Sequence, residues 1–399
     1  MNRLALRAEL AKLEQLLDVE AGALSYLDRV PEAQLRHLRA AISEHLFDQD
    51  RTPFRRLARI ASTVPTIAPW LARLIGPLLT ARIVSEMPAR RAAAIATRIA
   101  PAYAAEVCVH LDPRRARDLI QQIPAHFVVD IVRAMIDRRD YPTMGRFVDF
   151  LTDEAIQAVL VAIDDEAELL RIAFHMDSKN RLDRVVRMLP TERRRRIVLL
   201  ALDDQRDLLD EILTVVASVN YALKRELGNL AAEQEEAVLG RIIQRAQDNG
   251  LWGDLLPIVA SLSERHQRKV ANLPILRTDP AVLVSLLQAA DEHALWRSIL
   301  PLVEMLDEGT RDAFARAGAQ LPRAAIERAA QAVLIGELWE PMFDVVRRMP
   351  ADKQTEFAEV LRGLAGHDTA LDARLLTRAR AYGLGDALAS AGFAPGMIT

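Results

Sequence analysis

Three tryptophans, Trp252, Trp296 and Trp339, stand 44 and 43 residues apart, and each follows a leucine, Leu251, Leu295 and Leu338. Around them one apolar stripe is written three times. Three residues past each tryptophan stand Leu255, Ile299 and Met342, and four past it Leu256, Leu300 and Phe343. Seven past it come Val259, Val303 and Val346, and ten past it Leu262, Leu306 and Met349. Steps of three, four and seven put side chains on one face of a helix. Eleven past it stand Ser263, Asp307 and Pro350, residues that open helices by capping free amides or by presetting φ. Eighteen past it, in a second helix, are Val270, Phe314 and Phe357. The tryptophans keep register with the stripe, so they read as packing anchors between repeats rather than as the wall of a ligand groove. One helical hairpin cannot bury its stripe alone, whereas stacked neighbours bury a continuous core.

The same template runs upstream with decay. From Tyr141 it finds Met144, Val148, Leu151, Thr152 and Val159, and from Lys179 it finds Leu182, Val186, Leu189, Pro190 and Ile197. A fainter copy begins at Asn220 with Leu223, Leu227, Leu230 and Val238. Residues 141–382 are therefore expected to form helical-hairpin repeats of about 38–44 residues. Elsewhere most segments also show helical periodicity, and most of the 19 prolines fall between helices, as at Met87-Pro88, Ile123-Pro124 and Leu189-Pro190. Proline is at home in a first helical turn, where its missing N–H would be unpaired anyway. No stretch alternates with period two. The expected class is all-α, a right-handed α-solenoid of stacked hairpins of the HEAT or tetratricopeptide kind.

Residues 81–140 carry a shorter rhythm. Glu86-Met87-Pro88-Ala89-Arg90-Arg91-Ala92 returns 24 residues later as His110-Leu111-Asp112-Pro113-Arg114-Arg115-Ala116. The stretch IVSEMPARRAAAIATRIAPAYAAEVCVHLDPRRARDLIQQIPAHFVVDIVRAM, residues 83–135, resembles the cytosolic N-terminal domain of MgtE-type magnesium channels. That resemblance implies a superhelix of short helices, each opened by a leucine-proline or leucine-aspartate-proline step. It does not carry transport over, because the longest charge-free apolar run, about Ile60 to Ala72, is shorter than the ~20 residues a spanning helix needs. No counterpart of the channels' cystathionine-synthase-type domains follows. The flagellar rotor switch protein has similar helical repeats that hold partner proteins.

The ends differ from the repeats. Residues 1–80 are expected to form an N-terminal helical cap region, with Pro65, Pro69 and Pro77 cutting an apolar stretch into short pieces around Trp70. That stretch caps the stack or touches a partner or membrane surface. Residues 383–399, GLGDALASAGFAPGMIT after Tyr382, are rich in small residues and are expected to be a flexible tail. The first twenty residues mix charged and apolar positions without a hydrophobic run, which reads as a cytoplasmic protein rather than a secreted one.

Chemistry-bearing patterns are sparse. With 52 basic against 55 acidic residues, no global field recruits nucleic acid or anionic membrane. A single cysteine, Cys108, excludes an intramolecular disulfide framework and a multi-thiolate metal site. Phosphate-cradling glycine loops and a nucleophile elbow are missing, and the eight histidines form no metal-ligand spacing. Acidic clusters at Asp164, Asp165, Glu166 and Glu168 and at Asp203, Asp204, Asp207, Asp210 and Glu211 each open a helix, where the dipole favours negative charge. The expectation is no enzyme, no cofactor and no metal. One patch stands out: RLDRVVRMLPTERRRRI, residues 181–197, holds seven arginines against Asp183 and Glu192. Leu182, Val186 and Leu189 turn inward, leaving Arg184 and Arg187 on one outer side, with Arg193, Arg194, Arg195 and Arg196 around the next helix start. No aromatic residue interleaves for base stacking, so the patch is either plain solvated surface or the seat of an acidic protein partner, with nucleic acid as the further alternative.

Overall fold

Helix starts are set where proline or a short polar side chain interrupts the apolar stripe. In the computed structural model, which describes residues 3–17, 19–48, 58, 68–203, 206–365 and 369–393, Pro88, Pro124, Pro190 and Pro322 stand immediately before helices Ala89–Ala96, Ala125–Asp137, Thr191–Ala201 and Arg323–Gly336. Elsewhere the cap is a side chain: Thr152 accepts from Ala155 N at 3.2 Å, Ser178 from Arg181 N at 3.2 Å, and Asp307 from Thr310 N at 2.8 Å. Each satisfies one amide that the helix itself leaves free. Every regular element among the described residues is helical, and no strand occurs. No helix among them is long and apolar enough to cross a membrane. The chain divides into two compact units, Met1–Asn220 and Tyr221–Thr399.

Within the first unit, helices pack mainly on the element two places further along. Pro77–Ser85 lies on Pro101–His110, that helix on Ala125–Asp137, and that in turn on Asp153–Ala162. Beside them Tyr141–Val148 packs on Glu166–Phe174, which meets both Thr191–Ala201 and Leu209–Ser218. Ala81, Ala92, Val107, Leu111, Leu119, Ile120 and Phe147 form one core. Small residues let the layers close: a Cβ on Gly145 would stand 2.5 Å from the backbone carbonyl carbon and oxygen of His175. The N-terminal helix Arg3–Leu17 pairs with Glu32–Asp48 and packs on Tyr141–Val148 and Leu209–Ser218. Trp70, on the helix Ala68–Ile75, is 68% exposed, and Leu74 beside it is exposed too. Residues 49–57 and 59–67 of the cap region lie outside the described residues, as does Asp204 of the second acidic cluster.

The second unit repeats one closure. Gly250, Ala294, Glu337 and Gly383 all have positive φ, between 53° and 74°. After each, a leucine amide reaches back five residues to a helix carbonyl: Leu251 to Ala246, Leu295 to Ala290, Leu338 to Val333 and Leu384 to Ala379, at 2.7–3.2 Å. This is the Schellman closure, which satisfies the orphan carbonyls at a helix end. The next residue starts the following helix, and in three of the four it is a tryptophan. Trp252, Trp296 and Trp339 are all buried. The Trp252 indole donates to Ser285 Oγ at 3.0 Å and that of Trp296 to Asp291 Oδ1 at 3.2 Å, as buried indoles require. Trp339 stacks on Phe343 with ring centroids 6.1 Å apart. In the first unit Arg139 plays the glycine part ahead of Tyr141, with Asp140 N bonded to Met135 O.

The C-terminal end departs from its composition. Gly385–Ser390 is a helix, and Leu384, Leu388 and Phe393 are buried. Small residues there serve close packing on Ala351–Ala365 and Thr369–Ala381 rather than fraying. Residues 394–399 lie outside the described residues.

Candidate functional site

The arginine-rich segment 181–197 divides into an inner and an outer set. Arg181 donates from Nη2 to Leu151 O at 2.5 Å and from Nε to Val148 O at 3.3 Å, just past the end of Tyr141–Val148. Arg193 reaches Leu160 O and Ile163 O at the end of Asp153–Ala162. The last carbonyls of a helix lack intrahelical partners and carry the negative end of its dipole. A cation from the next hairpin answers both needs. Arg146 does the same at Leu111 O, 3.1 Å away. In the second unit Lys269 Nζ repeats it, on Ala232 O at 3.0 Å and Gln234 O at 2.5 Å. Arg194 bonds Leu189 O at 2.6 Å and Thr191 Oγ1 at 3.2 Å. Arg193, a candidate for partner binding, is turned inward, because helix-end carbonyls lie within its reach.

Arg184, Arg187, Arg195 and Arg196 form the outer set, all exposed, with Arg184 63% exposed. They are not bare charge. Arg184 lies 3.6 Å from Asp153, Arg187 2.9 Å from Asp183, and Arg196 2.8 Å from Glu166. Such exposed pairs are worth about 0–1 kcal/mol, so exchanging one carboxylate for a partner's costs little. The acidic clusters do what helix starts do: Asp165 caps Ala167 N at 2.8 Å, and Asp210 pairs with Arg7 at 2.9 Å. No group of three or more metal-ligating side chains converges among the described residues. Cys108 packs against the core, and its thiol is pushed up to about 12 by burial and then by the charge of Asp140. It stays protonated and is a poor nucleophile.

A second concentration of charge lies beneath the N-terminal helix. Lys12 is only 1% exposed, with Nζ 3.0 Å from Glu9 Oε1 and bonded to Asp177 Oδ1. Arg39 closes the group, 3.2 Å from Glu9 and 2.9 Å from Asp177. Burial works against the Asp177 carboxylate, yet Lys12 and Arg39 outweigh it and hold its pKa well below the usual carboxylate range. His175, at the contact made by Gly145, is pushed down to about 3 by burial and by Lys12, and its Nδ1 has no partner among the described residues. Asp149 is pushed up to about 6 by burial and by Asp177. Next to this group opens a cleft of about 230 Å³, into which Arg36, Arg39, Arg114 and Arg146 project together with Asp112, Asp149 and Asp177.

No family model matches the chain, and no curated protein does. Sequence reasoning missed this charge centre. Its one signal was Lys12 itself, one of few lysines in an arginine-rich chain, three residues past Glu9 on an amphipathic helix. Nothing in sequence spacing ties position 12 to position 177.

Proposed function

We propose that the chain is a right-handed α-solenoid acting as a non-enzymatic cytoplasmic scaffold, which binds an acidic protein over Arg184, Arg187, Arg195 and Arg196. The observation that carries this reading is the recurring packing of each hairpin on its neighbour, with one closure and one basic carbonyl cap used again and again. Stacked repeats build long surfaces by reusing one unit, and binding is what such surfaces serve. The inference from architecture to scaffold is one of analogy. The MgtE-like stretch 83–135 supports the same superhelical arrangement. Carboxylates interleaved with the outer arginines favour a protein over a nucleic acid, since phosphate tracking needs an uncompensated basic stripe. The exposed Trp70 and Leu74 favour a second, peripheral contact with an apolar surface.

The test is a comparison of wild type with the double variant Arg184→Glu, Arg187→Glu as bait, washed at 50 and at 300 mM salt. Charges at the rim of an interface act mainly on the rate of association. The reversed bait should lose a protein that wild type retains at low salt. Identical partner lists at both salts would remove this surface from the account, and recovery of nucleic acid alone would replace the protein reading.

A further inference from the structure

The cleft beneath the N-terminal helix contains a charged side chain that the fold leaves without a carboxylate partner at ion-pair distance among the described residues. Arg146, on Tyr141–Val148, is 8% exposed, yet among the described residues it makes one hydrogen bond, to Leu111 O, and no ion pair. The other cations around it are matched: Arg39 by Glu9 and Asp177, Arg114 by Asp112, and Arg36 by Glu32 and Glu9. A guanidinium has five donors and is never neutral in a protein. Its remaining N–H donors border the cleft, where the oxygens of a ligand can meet them. Asp112, Asp140 and Asp177 stabilise its charge from a distance, whereas burial and Arg39 oppose it.

We propose that this cleft binds a small monocarboxylate with an apolar body, its carboxylate paired side-on with the Arg146 guanidinium. Two observations select that class. Arg146 is the one arginine of the lining without a carboxylate at ion-pair distance among the described residues, so a single carboxylate completes it, whereas a dianionic phosphate brings a second negative charge beside Asp112, Asp149 and Asp177. The remaining wall is apolar, built by Leu16, Ala40, Pro113 and Phe150, which suits a hydrocarbon or aromatic body and not a sugar. A volume of about 230 Å³ sits just below the usual ligand-pocket range of roughly 300–1,000 Å³, room for an acid the size of benzoate or somewhat larger. Guanidinium and carboxylate match as planar two-point partners. This site is independent of the partner surface proposed above.

The experiment uses the full chain and ligand-observed saturation-transfer NMR, with benzoate, phenyl phosphate and benzylamine as probes. At its size benzoate should saturate with a dissociation constant of the order of 1 mM, and phenyl phosphate and benzylamine should bind at least tenfold more weakly. Arg146→Met should abolish benzoate binding and leave the circular dichroism spectrum and melting temperature unchanged or the latter raised, because an unpaired buried charge is gone. If Arg146→Met proves unfolded, Asp149→Asn decides: removing one of the three opposing carboxylates should tighten benzoate several-fold. Benzoate binding that is absent, unaffected by folded Arg146→Met, unaffected by Asp149→Asn, or weaker than that of phenyl phosphate overturns the proposal.

Discussion

Replacing Lys12 by methionine removes one charge from a group whose centre, Lys12 and Glu9, is buried away from water. In the wild type, Glu9 and Asp177 share Lys12 and Arg39, and Glu9 is 2% exposed. In Lys12→Met the methylene stem is still filled, so packing is nearly conserved, but Glu9 and Asp177 lose the most deeply buried of their cations and keep Arg39, with Arg36 3.7 Å from Glu9. Breaking a buried pair by deleting one partner typically costs 3–5 kcal/mol. With a urea slope of roughly 2–3 kcal/mol/M, the midpoint followed by far-ultraviolet circular dichroism should fall by about 1–2 M at pH 7. Acid supplies a second signature. The Asp177 pKa is depressed in the fold, so its stabilisation is fully present above the unfolded value near 3.9 and drains away as pH falls below it. Without Lys12 that depression weakens, and the gap between variant and wild type should narrow toward pH 3. The double variant Glu9→Leu, Lys12→Met removes a carboxylate together with the cation, leaves Asp177 paired with Arg39, and should recover most of the loss. A Lys12→Met midpoint within about 0.2 M of wild type would refute the reasoning, because Lys12 would then be solvated and the helix Arg3–Leu17 undocked.

Four further outcomes follow from the packing and the charges. Gly145→Ala should destabilise by at least ~2 kcal/mol in thermal or urea unfolding, since its Cβ would meet the His175 backbone at 2.5 Å and backbone cannot swing aside; a neutral result would contradict that approach. Trp296→Ala should cost about 3–5 kcal/mol, the usual effect of deleting a large buried aromatic, and an unchanged midpoint would move the indole to the surface. Ala294→Gly should stabilise by about 0.5–1 kcal/mol, because Ala294 holds φ at 55°, a region that costs non-glycine residues about that much or more; a loss of stability would count against the closure. Asp149→Asn should stabilise by about 1 kcal/mol at pH 7.5, by about a third of that at pH 4.5 and by nothing near pH 3. The raised pKa of about 6 means the fold takes up a proton that the unfolded chain refuses between about pH 6 and 4, so the charged form is the costly one; the nominal two-unit shift, ~3 kcal/mol, is discounted for solvent access at the cleft.

Repetition was the most legible part of the chain. The tryptophan register, the starts at Ser263, Asp307 and Pro350, and the inward Leu182, Val186 and Leu189 all depend on contacts three to eleven residues apart, which a sequence displays directly. The left-handed closure between helices was only half visible. Gly250 and Gly383 announce a left-handed residue, but Arg139, Ala294 and Glu337 take the same conformation with no glycine to mark it. Of the tail after Tyr382 only residues 383–393 are described, and they pack: small residues signal fraying when nothing covers them and close packing when a helix does. The arginine patch was legible as composition and not as geometry. Arg181 and Arg193 look identical to Arg184 and Arg196 until the preceding hairpin supplies carbonyls some thirty residues back. The buried group of Glu9, Lys12, Arg39 and Asp177 joins positions up to 168 residues apart, and no periodic pattern encodes such a meeting.

The scaffold reading stands or falls on what touches the outer arginines in the cell. Placing a photo-crosslinking amino acid at position 184, with position 335 as a control because Ile335 is also exposed, turns that contact into a covalent record. Irradiation should give a protein adduct at 184 whose crosslinked segment is rich in aspartate and glutamate, absent at 335 and lost when Arg187 is reversed to glutamate. A nucleic-acid adduct at 184, or the same adducts at both positions, would contradict the account.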